Sequence, residues 1–234
     1  MKYELLLLIQ SNIKEGFAMS RFLAPIHGLL FNKIRVTENL EKTLINSYRT
    51  VYGEEVDTIL NDINEEYGKP LEDGLIEDLV DADNIHGWLQ NKIAAAETRQ
   101  AKLLGDLIKK FGSKAEEIAF NVFNSQASEL AKQAKDIYGN DTAPKIYEAL
   151  NAYVLEGMPC DNVNNVTIKE TDLLEWKNIK CLHKGYWKIA GANVETLYSL
   201  RFSWINTFIE TINSQYTHIV KPEGSTFIHH IVRK

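Results

Sequence analysis

Cys181 and His183 stand close together in Trp176-Lys177-Asn178-Ile179-Lys180-Cys181-Leu182-His183, where a strand-like run gives way to a helix. A thiol and an imidazole at such a junction can form a thiolate–imidazole pair, because the partial positive charge of a helix N-terminus favours the thiolate. The same two side chains can supply two ligands to a metal. Their spacing is not a zinc signature, and no further ligands lie nearby in the sequence. The plain alternative is a small apolar Cys181 in the core and a polar His183 at the surface.

His229-His230 is a second candidate. Adjacent side chains in a strand point to opposite faces, so one of the two must face the core. His229 shares its face with Phe227 and Ile231, and His230 shares its face with Ile228 and Val232. From a regular strand the two cannot hold one metal. His218, on the preceding β-rich run, can meet either of them across a hairpin; the register is open. A hydrogen-bonded core histidine is the alternative to a functional one.

Arg201 is a third candidate. It falls within the apolar stripe Val194, Leu197, Tyr198, Trp204, Ile205, Phe208 and Ile212 of a helix. A guanidinium on a buried face needs a partner. That partner is either an internal carboxylate, such as Glu170 or Glu175, or the carboxylate of a ligand, which arginine holds bidentately. An arginine that snorkels past the sheet edge is the alternative. Trp187 and Tyr198 stand in an aromatic-rich stretch that can wall a pocket, although most such rings are core.

These residues need elements to hold them. Residues 1–158 read as helices. The stripe Ile118, Ala119, Val122, Phe123, Leu130, Ala134 and Ile137 has helical spacing, and Ser113 with Glu116 forms a capping box at its start. Leu103, Leu104, Leu107, Ile108 and Phe111 mark the helix before it. Ile146, Leu150, Tyr153 and Val154 mark the one after, with Pro144 in its first turn. Tyr52-Gly53, Phe111-Gly112 and Tyr138-Gly139 each end one helical pattern and open another, as helix–glycine–helix corners. Gly68-Lys69-Pro70 and the acidic stretch Glu72–Asp83 read as a solvated loop or short helix.

The texture changes after Gly157-Met158-Pro159. Val166–Thr171 and Leu173–Cys181 read as strands, Cys181–Ala190 as a short helix, and Asn193 as the cap of a longer helix to about Asn213. Tyr216–Val220 and Thr226–Val232 form a hairpin about the turn Lys221-Pro222-Glu223-Gly224-Ser225. The expected fold class is α+β. A helical region over 1–158 packs as one unit with a 159–234 region of order β–β–α–α–β–β, a small antiparallel sheet covered by helices.

Composition narrows the partners. The 234 residues carry a net charge of -6, with no basic face for nucleic acid and no polybasic cluster for an anionic membrane. Cys160 and Cys181 are the two cysteines, too few for a disulfide framework and consistent with a reducing compartment. The apolar run Leu5–Ile9 is too short to span a membrane and lacks the flanks of a signal peptide, so it reads as the start of an amphipathic helix in a cytoplasmic protein. Gly-rich phosphate loops, two-histidine metalloprotease helices and serine elbows are absent from the sequence.

From about residue 100 onward the chain resembles the L-2-amino-thiazoline-4-carboxylic acid hydrolase family. A strand ends in Cys181, a short helix with a glycine and a longer helix follow, and a hairpin turns at Gly224. Cys181 matches the cysteine after the family's strand, and Gly224 the glycine of its terminal turn. Three positions depart from the pattern. Ser199 stands near a second family cysteine, Gly224-Ser225 replaces Gly-Asp, and Ile228, followed by His229, occupies the place of a cysteine on the last strand. A vinyl-reductase-like sensor domain of similar α+β design is a weaker match.

The resemblance implies hydrolytic opening of a small cyclic amidine to an N-carbamoyl amino acid. The expectation is therefore a hydrolase-like enzyme acting on a C–N bond of a compact polar substrate, in the manner of a tailoring enzyme of a biosynthetic pathway. A non-catalytic small-molecule-binding or sensor domain is the alternative. Cys181, His183 and His229 are the expected catalytic residues, and Arg201, Tyr198, Trp187 and His230 the expected substrate-binding ones. The cofactor is either none or a divalent metal. The partner is a small-molecule substrate, and a homo-oligomer is possible.

Overall fold

The computed structural model describes residues 24–234. The helix expected over Leu5–Ile9 lies outside the described residues. The helical part contains α1 (Pro25–Tyr52), α2 (Glu55–Tyr67), the short α3 (Ile76–Leu79), α4 (Ile85–Phe111), α5 (Ser113–Tyr138) and α6 (Ala143–Asn151). Leu103, Leu104 and Leu107 of α4 and Ile118, Ala119, Val122, Phe123 and Leu130 of α5 are buried, as their 3.6-residue period requires. Ile137 leaves this stripe and is exposed, because it sits in the last turn of α5.

Gly53, Gly112 and Gly139 close α1, α4 and α5 at φ of 60°, 66° and 74°. Each donates its N–H to a carbonyl of the last turn, and a side chain at these angles would be strained. The aromatics before the first two glycines pack on one another: the Tyr52 and Phe111 rings stack at 3.8 Å. The capping box expected at Ser113 does not form. Gly112 is the cap, Ser113 is already helical, and its side chain makes no capping bond. A one-residue corner leaves no room for a separate cap. Thr142 does cap α6, accepting from the Lys145 N–H, with Pro144 in the first turn.

The C-terminal part runs β1 (Asn164–Lys169), β2 (Leu173–Asn178), α7 (His183–Ile189), α8 (Val194–Ile212), β3 (Tyr216–Glu223) and β4 (Thr226–Arg233). The fold is α+β. Its four strands are antiparallel in the order β1-β2-β4-β3. Two boundaries differ from expectation: β1 runs Asn164–Lys169 instead of Val166–Thr171, and β2 ends early. β2 stops at Asn178 instead of reaching Cys181, because β1 offers its last partner there through Asn164. A register shift between Val166 and Ile168 interrupts the alternation of β1 and leaves Val166 exposed. Pro222 is tolerated within β3 because β3 is an edge strand.

One sheet face packs on α6 and α8 and buries Leu174, Trp176, Tyr216, His229 and Ile231. Leu174, Trp176, Tyr216 and Ile231 join one hydrophobic cluster with Leu44 of α1, Leu104 of α4, Phe123 of α5 and Phe208 of α8. Sheet and helices therefore share a core. Elsewhere Arg99, 1% exposed, is held by Glu41 and Glu38 between α4 and α1, and Glu38 also accepts from the Leu71 N–H. That contact ties the 68–75 connection to the helices. Among the described residues no helix is long and apolar enough to cross a membrane.

Candidate functional site

The ends of β2 and β4, the start of α7, the middle of α8 and the 154–164 segment meet around one cleft of about 510 Å³, its open mouth included. Cys181, His183, Tyr198, Arg201 and His229 all line it. Local rules place each of them. Asn193 caps α8 by accepting from the Thr196 N–H, which sets the rotation that turns Leu197, Leu200, Trp204 and Phe208 inward. Tyr198 and Arg201 then lie on the flank of that face. Strand alternation turns His229 inward between Phe227 and Ile231.

A charged cluster forms the floor. His183, 5% exposed, places Nδ1 2.9 Å from Glu97 Oε1 and Nε2 3.4 Å from Glu156 Oε2. Arg201 Nη2 donates to Glu156 and to the Leu155 carbonyl. Trp187 Nε1 donates to Glu97 at 3.2 Å. Burial alone would push the His183 imidazole down, but the Glu97 and Glu156 carboxylates outweigh it and raise it to about 9. Burial would likewise raise Glu156; Arg201 and His183 override it and hold the carboxyl at about 2. Glu97 is held below the usual carboxylate range, with His183 outweighing burial. The cleft thus contains a histidine that is an imidazolium near neutrality.

The opposite wall contains histidines of the other kind. Asn178 Nδ2 donates to Asn164 Oδ1, so Asn178 Oδ1 is left to accept, and His229 Nε2–H donates to it at 2.8 Å. His229 Nδ1 then accepts from His218 Nε2–H at 2.9 Å. The two imidazoles and the Trp176 indole stack, with Trp176 and His229 4.7 Å apart. Burial pushes His229 down to about 4, with Arg201 adding to it against Glu156. Burial, with His229 and His230 beside it, pushes His218 down to about 3. Both are neutral imidazoles at neutral pH.

The thiol stands between these walls. Cys181 Sγ lies 2.8 Å from the Tyr198 hydroxyl and 3.4 Å from the Lys184 N–H. Among the described residues its hydrogen-bond partners are these two, and neither is an imidazole. Burial, followed by Cys181 itself, raises the Tyr198 phenol well above its ordinary range, so it is a neutral hydroxyl.

Several sequence expectations change here. His183 is buried, not a surface polar residue. Arg201 faces inward, but its internal partner is Glu156, not Glu170 or Glu175. Glu175 lies on the outer sheet face and holds His230 at 2.8 Å. His230 is therefore turned away from the cleft, since it neighbours His229 in a regular strand. Trp187 stands behind the floor, bonded to Glu97, and does not line the cleft. Of the two hairpin pairings left open, His218 meets His229.

Glu97, Glu156, Asn178 and Asn164 were not anticipated. Glu97 carried a usable signal: with Ile93, Gln100 and Leu104 it lies on one stripe of α4, just as Arg201 interrupts the stripe of α8. Glu156 lies outside regular structure, where periodicity says nothing. No group of three or more His, Cys, Asp or Glu side chains able to hold a metal occurs among the described residues. No protein-family model, curated protein or solved structure matches this chain.

Proposed function

We propose that the cleft binds a compact polar small molecule of the amidine or cyclic amidine class and hydrolyses a C–N bond in it. One observation carries this reading: two imidazoles held in opposite protonation states, a thiol and a guanidinium open onto one cleft. Environments that push two titratable groups apart mark acid and base assignments. In this reading a water adds to the amidine carbon and gives up its proton to the neutral imidazole of His229, which lines the cleft. The C–N bond then breaks, and the nitrogen leaves with a proton from the imidazolium side, replenished at His183. Arg201 anchors a substrate carboxylate. Its described partners engage Nη2, which leaves the Nε and Nη1 donors for a ligand. The resemblance to the L-2-amino-thiazoline-4-carboxylic acid hydrolase family supports water addition at an amidine carbon; in a 2-amino-thiazoline the N-carbamoyl product forms by breaking the ring C–S bond, so there the protonated leaving group is the sulfur.

A second reading rests on a different observation. Both ring nitrogens of His183 and of His229 already have partners, and Cys181 pairs with a phenol. Such a wall suits a ligand-binding or sensor domain that recognises its ligand without turning it over. The full chain, incubated with 2-amino-thiazoline-4-carboxylate and related cyclic amidine acids and followed by mass spectrometry, separates the two. Turnover that falls in Cys181→Ser and His229→Asn supports the hydrolase. Saturable binding without a mass gain of one water supports the sensor. Neither turnover nor binding across the panel removes the amidine class.

A further inference from the structure

A second cavity of about 650 Å³, its mouth included, opens between α1, α4, α5 and α8. Leu40, Ala101, Leu104, Phe123 and Trp204 give it an apolar wall. Arg201 stands in the wall it shares with the cleft.

We propose that this cavity is a separate binding site for an amphipathic monocarboxylate, with its hydrocarbon tail among α1, α4, α5 and α8 and its head group on Arg201. Shape and chemistry carry the assignment: an apolar chamber ends at a guanidinium. Nothing in the described residues engages Arg201 Nε or Nη1, the fork that carboxylates fit.

The shared wall sets Glu97 and Glu156 against His183 and Arg201, so its own charges balance, and a carboxylate enters by pairing with the open donors of Arg201 while the apolar chamber selects one that carries a tail. Gln126 is not free to take the head group, because it is held by the Val36 carbonyl and Trp204 Nε1–H. The assignment does not depend on the reaction proposed for the cleft, but it uses the same Arg201 Nε and Nη1 donors, so a carboxylate here and a carboxylate in the cleft exclude one another.

Titration calorimetry of the full chain with octanoate and with 1-octanol tests it. Octanoate should bind saturably at one site, and the uncharged alcohol about tenfold more weakly or worse, for want of the charge-assisted pair. Ala101→Leu, which fills the chamber, and Thr37→Leu, on its rim, should each weaken octanoate by about tenfold. Thr37 is half-buried on a helix surface, so its variant keeps the test intact if Ala101→Leu fails to fold. Phe227→Ala, confined to the cleft, should leave octanoate binding as it was. Absence of saturable binding, equal affinity for the alcohol, or loss of binding in Phe227→Ala with retention in Thr37→Leu would each overturn the proposal.

Discussion

Glu97 holds His183 and Trp187 at once, from 86 and 90 residues away in the chain. Removing one member of a buried ion pair strands the other in a low-dielectric site, at a cost of about 3–5 kcal/mol. Glu97→Gln should therefore lower stability by about 3 kcal/mol in urea titrations, Glu156 still sharing the imidazolium. Adding His183→Gln should recover part of that loss, because the stranded charge is gone; strictly additive losses would show that the pair is not coupled. Arg201→Met should abolish carboxylate-dependent thermal shifts with cleft ligands. Unchanged shifts and unchanged stability would remove the anchor role. Arg201, His229 and Cys181 could be picked out in advance because each breaks a local pattern, a stripe, an alternation or a strand end. Their partners could not, since no local pattern says which distant carboxylate will meet them.

Helix α4 reaches the α7–α8 connection through Gly105, where an added Cβ would lie 3.2 Å from Ala192 Cα and Cβ. That approach sets the distance between the Glu97 helix and the elements bearing His183 and Arg201. Gly105→Leu should cost about 1–3 kcal/mol through overpacking and loosen the His183 cluster. Gly185, exposed in α7 with open space around its Cα, is the contrast. Gly185→Ala should raise stability by roughly 0.5–1 kcal/mol through helix propensity alone. Thermal melts of the two variants in opposite directions would confirm that close approach, not helix propensity, governs position 105. The same distinction explains what was legible in the sequence. The helix corners at Gly53, Gly112 and Gly139, the Asn193 cap and the terminal hairpin follow from neighbours in the chain. The end of β2 at Asn178, the β1 irregularity after Val166 and the closeness of Gly105 to Ala192 depend on partners that only the assembled fold supplies.

The buried histidines make opposite demands on the stability of the protein. His183 is raised from 6.5 to about 9 in the fold. Its contribution is present in full below about pH 6.5, declines as pH rises and the unfolded chain alone releases its proton, and is gone above 9. His229 and His218 are lowered from 6.5 to about 4 and about 3. Below pH 6.5 the unfolded chain takes up two protons that the fold refuses, so stability falls with pH. Glu156, lowered from 4.5 to about 2, contributes above 4.5 and is lost as pH falls through 2. Stability should therefore peak near pH 6.5 and fall on both sides. The limbs should be unequal. One imidazole gives a slope of up to about 1.4 kcal/mol per pH unit on the alkaline side, and two give up to about 2.7 between pH 5 and 6. Urea midpoints measured from pH 5 to 9 check the profile, and His183→Gln should flatten only its alkaline limb. A native chain equally stable at pH 6.5 and 9 would show that His183 is neutral in the fold and that Glu97 and Glu156 do not hold an imidazolium between them.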